Sequence, residues 1–339
     1  MDTKFFTPNQ IDQAAQAIRK GELIAFPTET VYGLGADATN EAAVKKVYLA
    51  KGRPSDNPLI VHIDSLERVI PFVDNFSGKM AKLAEHFWPG PLTMVLPVKK
   101  GSISASVTGG LSTAGFRMPN NTVTRQLIAK AGVPIVGPSA NSSGKPSPTT
   151  ASHVYHDLNG KIEGILDDGP ATVGLESTVI DLSGDIPLIL RPGVITKSQI
   201  EAVVGKVEYD QHLVKESETP KSPGMKYKHY SPDVEVQMID AKKENWQEAI
   251  RYAKNQNKLI GLIADASILK RFQTQVDATY SLGEEHQMDQ AMQHLFAGLR
   301  ALDEKVPQLD IVYVQTFSEE ESGLAYMNRL KKAAAQNFF

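Results

Sequence analysis

The chain reads as an α/β protein in two parts, a larger N-terminal region with a mixed sheet and a smaller C-terminal region with a parallel, doubly wound one. Three observations predict this. Its 339 residues exceed one average domain and suggest about two, each large enough for a core of its own. A hydrophobic content of 41% against 22% charged residues is that of a globular chain. Apolar runs of strand length alternate with helical patterns everywhere except across a polar stretch at about 210–233. The expected division is therefore a domain at 1–209, a linker at 210–233 and a second domain at 234–339.

At the N-terminus, Thr7 caps and Pro8 suits the first turn of a helix whose apolar face is Ile11, Ala14, Ala15 and Ile18, and Gly21 stops it. "ELIAFP" follows as a strand. The same rhythm continues with a helix near Asn40 to Ala50, the strand "LIVHI", a helix near Ser77 to Phe87 and the strand "LTMVLPV". Helix "TVTRQLIAKAG" leads to strand "VPIVGP", and "STVIDL" and "PLILRPG" pair across Ser183 to Asp185. Such a series makes the sheet of this region mixed. Beyond the linker, "VEVQMID", "KLIGLIAD", "ATYSL" and "DIVYVQTF" are short strands separated by helical runs, the pattern of a parallel sheet. No internal repeat links the halves.

Composition excludes several classes of function. With no cysteine there is no disulfide, thiolate zinc site or cysteine nucleophile, and eight scattered histidines offer little for a metal. The first residues lack an apolar leader, and no stretch reaches the roughly 18 apolar residues of a membrane span, so a cytoplasmic protein without a membrane partner is expected. A net charge of -3 argues against non-specific nucleic-acid binding by the whole chain; a local basic cleft with weak RNA affinity stays compatible with it.

Several short polar clusters fall at strand ends or in loops, where functional groups sit on a rigid scaffold. "PTETVYGLG" (27–35) follows a strand: its glycines permit tight turns and Thr30 and Tyr32 offer hydroxyls, although turn-capping threonines explain it equally well. It is no dinucleotide fingerprint, because the third glycine after Gly33 and Gly35 is missing. "KGRPSDNPLIVH" (51–62) puts Lys51 and Arg53 at a helix end. Such cations ordinarily stabilise the helix dipole, yet a point charge beside a planar fork is also what a phosphate needs. His62, alternating with apolar neighbours, reads first as a core histidine.

"GPSANSSGKPSPT" (137–149) brings hydroxyls and an amide to the C-terminal end of a strand, the usual crevice for ligands in open α/β sheets; a flexible loop is the competing reading. Arg117 in "AGFRMP" and Arg191 in "LILRPG" are flanked by apolar strand residues, so each guanidinium must find an acid or a ligand. No phosphate loop, nucleophile elbow or H-E-x-x-H pair is present. His153 and His156 in "HVYH" lie on a helix surface without a third ligand, and zinc is not expected.

Taken together and in order, "PTETVYGLG", "KGRP…NPLIVH", "FRMP", "PSANSSG", "EST" and "RPG" resemble the threonylcarbamoyl-AMP synthase family over about residues 8–205. The strap "SPGMKYKHYSP" and the small α/β domain behind it extend the likeness to the two-domain form of that family. The resemblance implies a YrdC-like N-terminal domain, a twisted sheet around a deep, positively charged cavity, and a Rossmann-like C-terminal domain. It implies that L-threonine, bicarbonate or CO2 and ATP give threonylcarbamoyl-AMP and pyrophosphate. The product then goes to the machinery that modifies an adenosine beside the tRNA anticodon. By the same carry-over, Thr30, His62, Arg117, Ser139 and Ser177 contact threonine, with Arg117 as the bidentate partner of its carboxylate. Lys51, Arg53, Asn57, Thr113, Ser139, Asn141, Ser147 and Arg191 surround ATP, with Lys51 and Arg53 as the catalytic cations and magnesium on the phosphates.

The strap, Ser222 to Pro232, then reads as a lid. Prolines 223 and 232 stiffen its ends, Tyr227 meets the nucleotide, and Lys226, Lys228 or His229 meets the phosphates. A solvated tether is its competing reading. Two other functions are weighed against the synthase: an RNA-binding module without a reaction, disfavoured because the cations are few and lack stacked aromatics, and carbamoyl transfer from carbamoyl phosphate.

Overall fold

Apolar runs too short for helices become strands along both halves of the chain. The computed structural model describes residues 2–73, 76, 78–210, 230–240 and 245–339. They fall into two units: the first takes the chain up to Ser143, Pro148–Thr172 and the stretch from Glu176, and the second takes Gly144–Ser147, Val173–Leu175 and the described residues from Tyr230 on.

In the first unit, strands β1 (Lys4–Phe6), β2 (Ile24–Phe26), β3 (Gly33–Asp37), β4 (Ile60–His62), β5 (Leu92–Pro97), β6 (Thr113–Arg117), β7 (Ile135–Val136), β8 (Gly164–Leu166), β9 (Thr178–Asp181), β10 (Leu188–Arg191) and β11 (Glu208–Tyr209) make one sheet. Their order is β1-β8-β2-β3-β7-β4-β6-β5-β9-β10-β11. Pairs such as β4/β6 and β5/β9 are parallel while β2/β3, β5/β6 and β9/β10 are antiparallel, so the sheet is mixed as expected.

Helix α1 (Ile11–Arg19) buries the four residues read as its face, and the Thr7 amide donates to Gln10 Oε1 at 3.0 Å in a capping box around the short turn Pro8–Gln10. Helix α2 (Glu41–Lys51) starts where Asn40 Oδ1 accepts from the Ala43 amide and ends where Gly52 takes the left-handed conformation, φ 62°. That stop places Lys51 in the last turn.

Alternation sorts the sheet into two faces. Val61, Met94, Phe116, Ile180 and Ile189 pack into the main hydrophobic cluster with the covering helices, each such side chain contributing about 1.5–3 kcal/mol by burial. Their neighbours in register, Ile60 and His62 on β4, Thr93 and Val95 on β5, Gly115 and Arg117 on β6, and Val179 on β9, share the other face.

Strands β1, β3, β8 and β11 are not among those read from the sequence. The glycines of "YGLG" prove not to be turn residues: Gly33 and Gly35 are extended within β3, where a Cβ would lie 2.7 Å from Phe26 Cζ and 2.8 Å from the Ile24 carbonyl oxygen respectively. Their purpose is close approach to β2, not backbone freedom.

In the second unit, β12 (Glu235–Ile239), β13 (Ile260–Ala264), β14 (Ala278–Ser281) and β15 (Ile311–Gln315) form a sheet of order β12-β15-β13-β14, parallel throughout as the sequence predicts. Trp246, Ile250, Leu262 and Tyr313 share its core. Arg300 donates through Nε and Nη2 to the Pro146 carbonyl oxygen at 3.1 and 2.6 Å, and Lys145 pairs with Asp233 at 2.6 Å. Among the described residues no helix is long and apolar enough to cross a membrane.

Candidate active site

The polar face of the first unit's sheet carries side chains that an ordinary core would exclude. His62 and Arg117 lie opposite one another on the parallel strands β4 and β6, 3% and 4% exposed. Three of Arg117's nitrogens are engaged. Nη1 donates to Thr30 Oγ1 at 2.9 Å, Nε to the Gly90 carbonyl oxygen at 3.3 Å, and Nη2 lies 2.8 Å from Glu29 Oε2. The last contact is an ion pair off the hydrogen-bond axis: Nη2 and both Glu29 oxygens are buried without a hydrogen-bond partner. Sequence reasoning passed over Glu29, although it stands inside "PTETVYGLG".

The turn that presents Thr30 is built by Thr28, whose Oγ1 accepts from the Thr30 and Val31 amides and donates to the Val31 carbonyl oxygen. Capping threonines and an offered hydroxyl are thus one arrangement. Tyr32 is committed elsewhere: its hydroxyl donates to Asp167 Oδ1 at 3.0 Å and to the Gly169 carbonyl oxygen at 2.7 Å, and burial, then the Asp167 charge, push it up out of the titrating range.

His62 is held neutral. Burial first and the Arg117 charge second push its pKa down to about 3, and its Nδ1 has no hydrogen-bond partner. The ring packs edge-on to Phe26 at 5.3 Å and closely over Gly137, where a Cβ would fall 2.6 Å from both His62 Nδ1 and Phe26 Cζ. Only glycine leaves room for the imidazole there.

Across β5 the same face continues. Ser177, just before β9, shares a hydroxyl contact of 2.8 Å with Thr93, and Arg191 at the end of β10 donates through Nη2 to Ser177 Oγ at 3.2 Å and through Nε to its carbonyl oxygen at 3.1 Å. Gly90 and Pro91 join the two groups, one accepting from Arg117 and the other from the Thr178 amide. Thr93 was also missed; a threonine within the apolar "LTMVLPV" was its signal.

A third cluster gathers at the end of α2. Lys51 Nζ donates to the carbonyl oxygens of Ser139 and Asn141, the latter at 2.6 Å, and Ser139 Oγ donates to Asn141 Oδ1 at 2.6 Å. The segment meets the Thr30 turn through the Ala140 amide, which donates to the Tyr32 carbonyl oxygen at 2.8 Å. Arg53 Nη2 donates to the Pro58 carbonyl oxygen at 3.4 Å, and Asn57 Oδ1 is buried without a partner. Thr113 opens β6 on the polar face. Ser147 is fully buried and belongs to the second unit. Tyr227, and with it the strap from Ser222 to His229, lies outside the described residues.

Arginines, hydroxyls and a carboxylate thus gather around one sheet face, and Lys51 with Ser139 and Asn141 gathers at the end of α2, with no nucleophile–base pair among the residues named. That set suits holding charged reactants and neutralising phosphate charge.

Comparison with known proteins follows the same division of the chain. A family profile described as telomere recombination matches residues 16–193, and one described as threonylcarbamoyl-AMP synthase, C-terminal domain, matches residues 195–335. The chain is 46% identical to a threonylcarbamoyl-AMP synthase of Bacillus subtilis, over 96% of this chain and 93% of that protein. It is 43% identical to one of Pyrococcus abyssi, over 95% and 93%. The crystal structure of P. abyssi Sua5 complexed with L-threonine covers 99% of both chains with a TM-score of 0.93 at 41% identity.

Proposed function

The chain belongs to the threonylcarbamoyl-AMP synthase family and makes threonylcarbamoyl-AMP; from that premise we propose which reactants it uses and which residues hold them. The reactants are L-threonine, bicarbonate or CO2, and ATP, and pyrophosphate is released. The product supplies a threonylcarbamoyl group to the machinery that modifies an adenosine beside the tRNA anticodon. Weak direct RNA contact and a cytoplasmic location belong to the same reading.

Arg117 takes the threonine carboxylate as a planar fork, supported by Thr30, His62, Ser139 and Ser177. Lys51, Arg53, Asn57, Thr113, Asn141, Ser147 and Arg191 receive ATP, with Tyr227 on the nucleotide. The threonine nitrogen, as it bonds to the carbon of CO2, gives up two of its three ammonium protons to solvent and keeps one N–H in the carbamate. A carbamate oxygen then attacks the α-phosphorus as the bond to the β-phosphate's bridging oxygen breaks and pyrophosphate departs. Lys51 and Arg53 neutralise the charge that grows on the phosphates, each such charge-assisted bond contributing roughly 1.5–3 kcal/mol. Among the described residues no group of three His, Asp or Glu side chains could hold a metal ion. In this proposal magnesium would come with ATP, on its phosphates. Strap residues 222–232 close over the mixed anhydride and keep water from it.

The observation that supports these roles is the shared sheet face that carries both the His62–Arg117 pair and the Ser177–Arg191 pair. Pyrophosphate release by the full chain tests the reaction. It is expected to require threonine and bicarbonate together; release that ignores either one, or a product formed from carbamoyl phosphate without ATP, would overturn the proposal.

A further inference from the structure

Glu29 has no part in the roles above, yet among the described residues both of its buried oxygens lack a hydrogen-bond partner. Its carboxylate is 7% exposed, stands 2.8 Å from Arg117 Nη2, and has no hydrogen-bond donor on either oxygen. A carboxylate that balances a buried arginine frequently takes two parallel N–H bonds from the guanidinium. This one lies off that axis, and buried acceptors without donors carry a desolvation cost that a ligand's donors would relieve.

A free amino acid presents two opposite charges on a single carbon. Arg117 answers the carboxylate, but an α-ammonium entering among Lys51, Arg53, Arg117 and Arg191 meets like charge, and Glu29 beside Arg117 offers it the opposite one. An ammonium group brings three N–H donors, which suits two acceptors without donors. His62 cannot act in Glu29's place: its Nδ1 is a single uncharged site.

We propose that Glu29 is a specificity-determining residue that receives the α-ammonium of the incoming amino acid, forming with Arg117 a two-point clamp on the zwitterion. The proposal rests on the reading that Arg117 takes the carboxylate. It also gives the binding step a direction. Once the nitrogen has become a carbamate its positive charge is gone, and the Glu29 carboxylate repels the new anion toward the cations that hold the triphosphate.

The test is calorimetric binding of L-threonine and of (R)-3-hydroxybutanoate, which keeps the carboxylate and hydroxyl but has hydrogen for the amine, to the full chain. Wild type is expected to prefer threonine by about tenfold or more, the value of a charge-assisted bond. Glu29→Gln should lose most of that preference by weakening threonine while leaving hydroxybutanoate within about threefold, a split that a merely structural role would not produce. Glu29→Asp, which keeps the charge, should retain part of the preference. An unchanged ratio in Glu29→Gln, or no preference in Glu29→Asp where Glu29→Gln fails to fold, would overturn the inference. Undiminished threonine binding in Arg117→Ala would instead bring down the reading beneath it.

Discussion

The neutral imidazole of His62 makes acid stability of the first unit a quantitative test of the site's burial. Its folded pKa of about 3 lies below the ordinary value of about 6.5, so between those limits the unfolded chain binds the extra proton. The stability that depends on a neutral His62 is therefore complete above about pH 6.5 and drains away as pH falls toward about 3. At pH 5 the loss is RT ln(1 + 10^1.5), about 2 kcal/mol, and it is the same for any folded pKa below about 4. Trp88 lies in the first unit and Trp246 in the second, so a Trp246→Phe background leaves one fluorescent reporter for the unit in question. Denaturant unfolding of the full chain at pH 7.5 and pH 5 should show the background losing about 2 kcal/mol more than the same background carrying His62→Gln. Equal losses in the two chains would refute the buried, neutral histidine.

Arg117→Ala should raise the threonine KM by about tenfold or more while moving the ATP KM by less than about threefold, measured by pyrophosphate release. Unaltered threonine dependence would refute its role. Lys51→Ala should act mainly on ATP and, since Lys51 also ties the carbonyls of Ser139 and Asn141, should speed amide hydrogen exchange across residues 139–143. Unchanged exchange would show that the contact organises nothing. Deletion of residues 222–229, which spares the buried Tyr230 and Ser231, should depress adenylate formation while both domains remain folded by circular dichroism; full activity would leave the strap a tether.

Much of the fold was legible because periodicity and capping agree locally. The α1 face, the helix beginning near Asn40 and the β9–β10 pair follow from residues a few positions apart. Strands β1 and β8 were not, because they pair with each other across the chain, Lys4 with Gly164, and carry little local pattern. Arg117, Arg191 and His62 stood out as polar groups inside apolar strands, the one signal that burial leaves in a sequence. Thr93 gave the same signal more faintly, and Glu29 did not give it. A glutamate between threonines looks like a turn residue until the chain folds Arg117 against it.

The contact between Gly137 and His62 carries a consequence for altering what this protein accepts. With imidazole and backbone touching, position 137 has no slack, and enlarging it would dislodge the ring before it altered any substrate contact. Variants with a new amino-acid preference should thus be sought among the loop residues around the rim, and a library built on position 137 would return glycine alone.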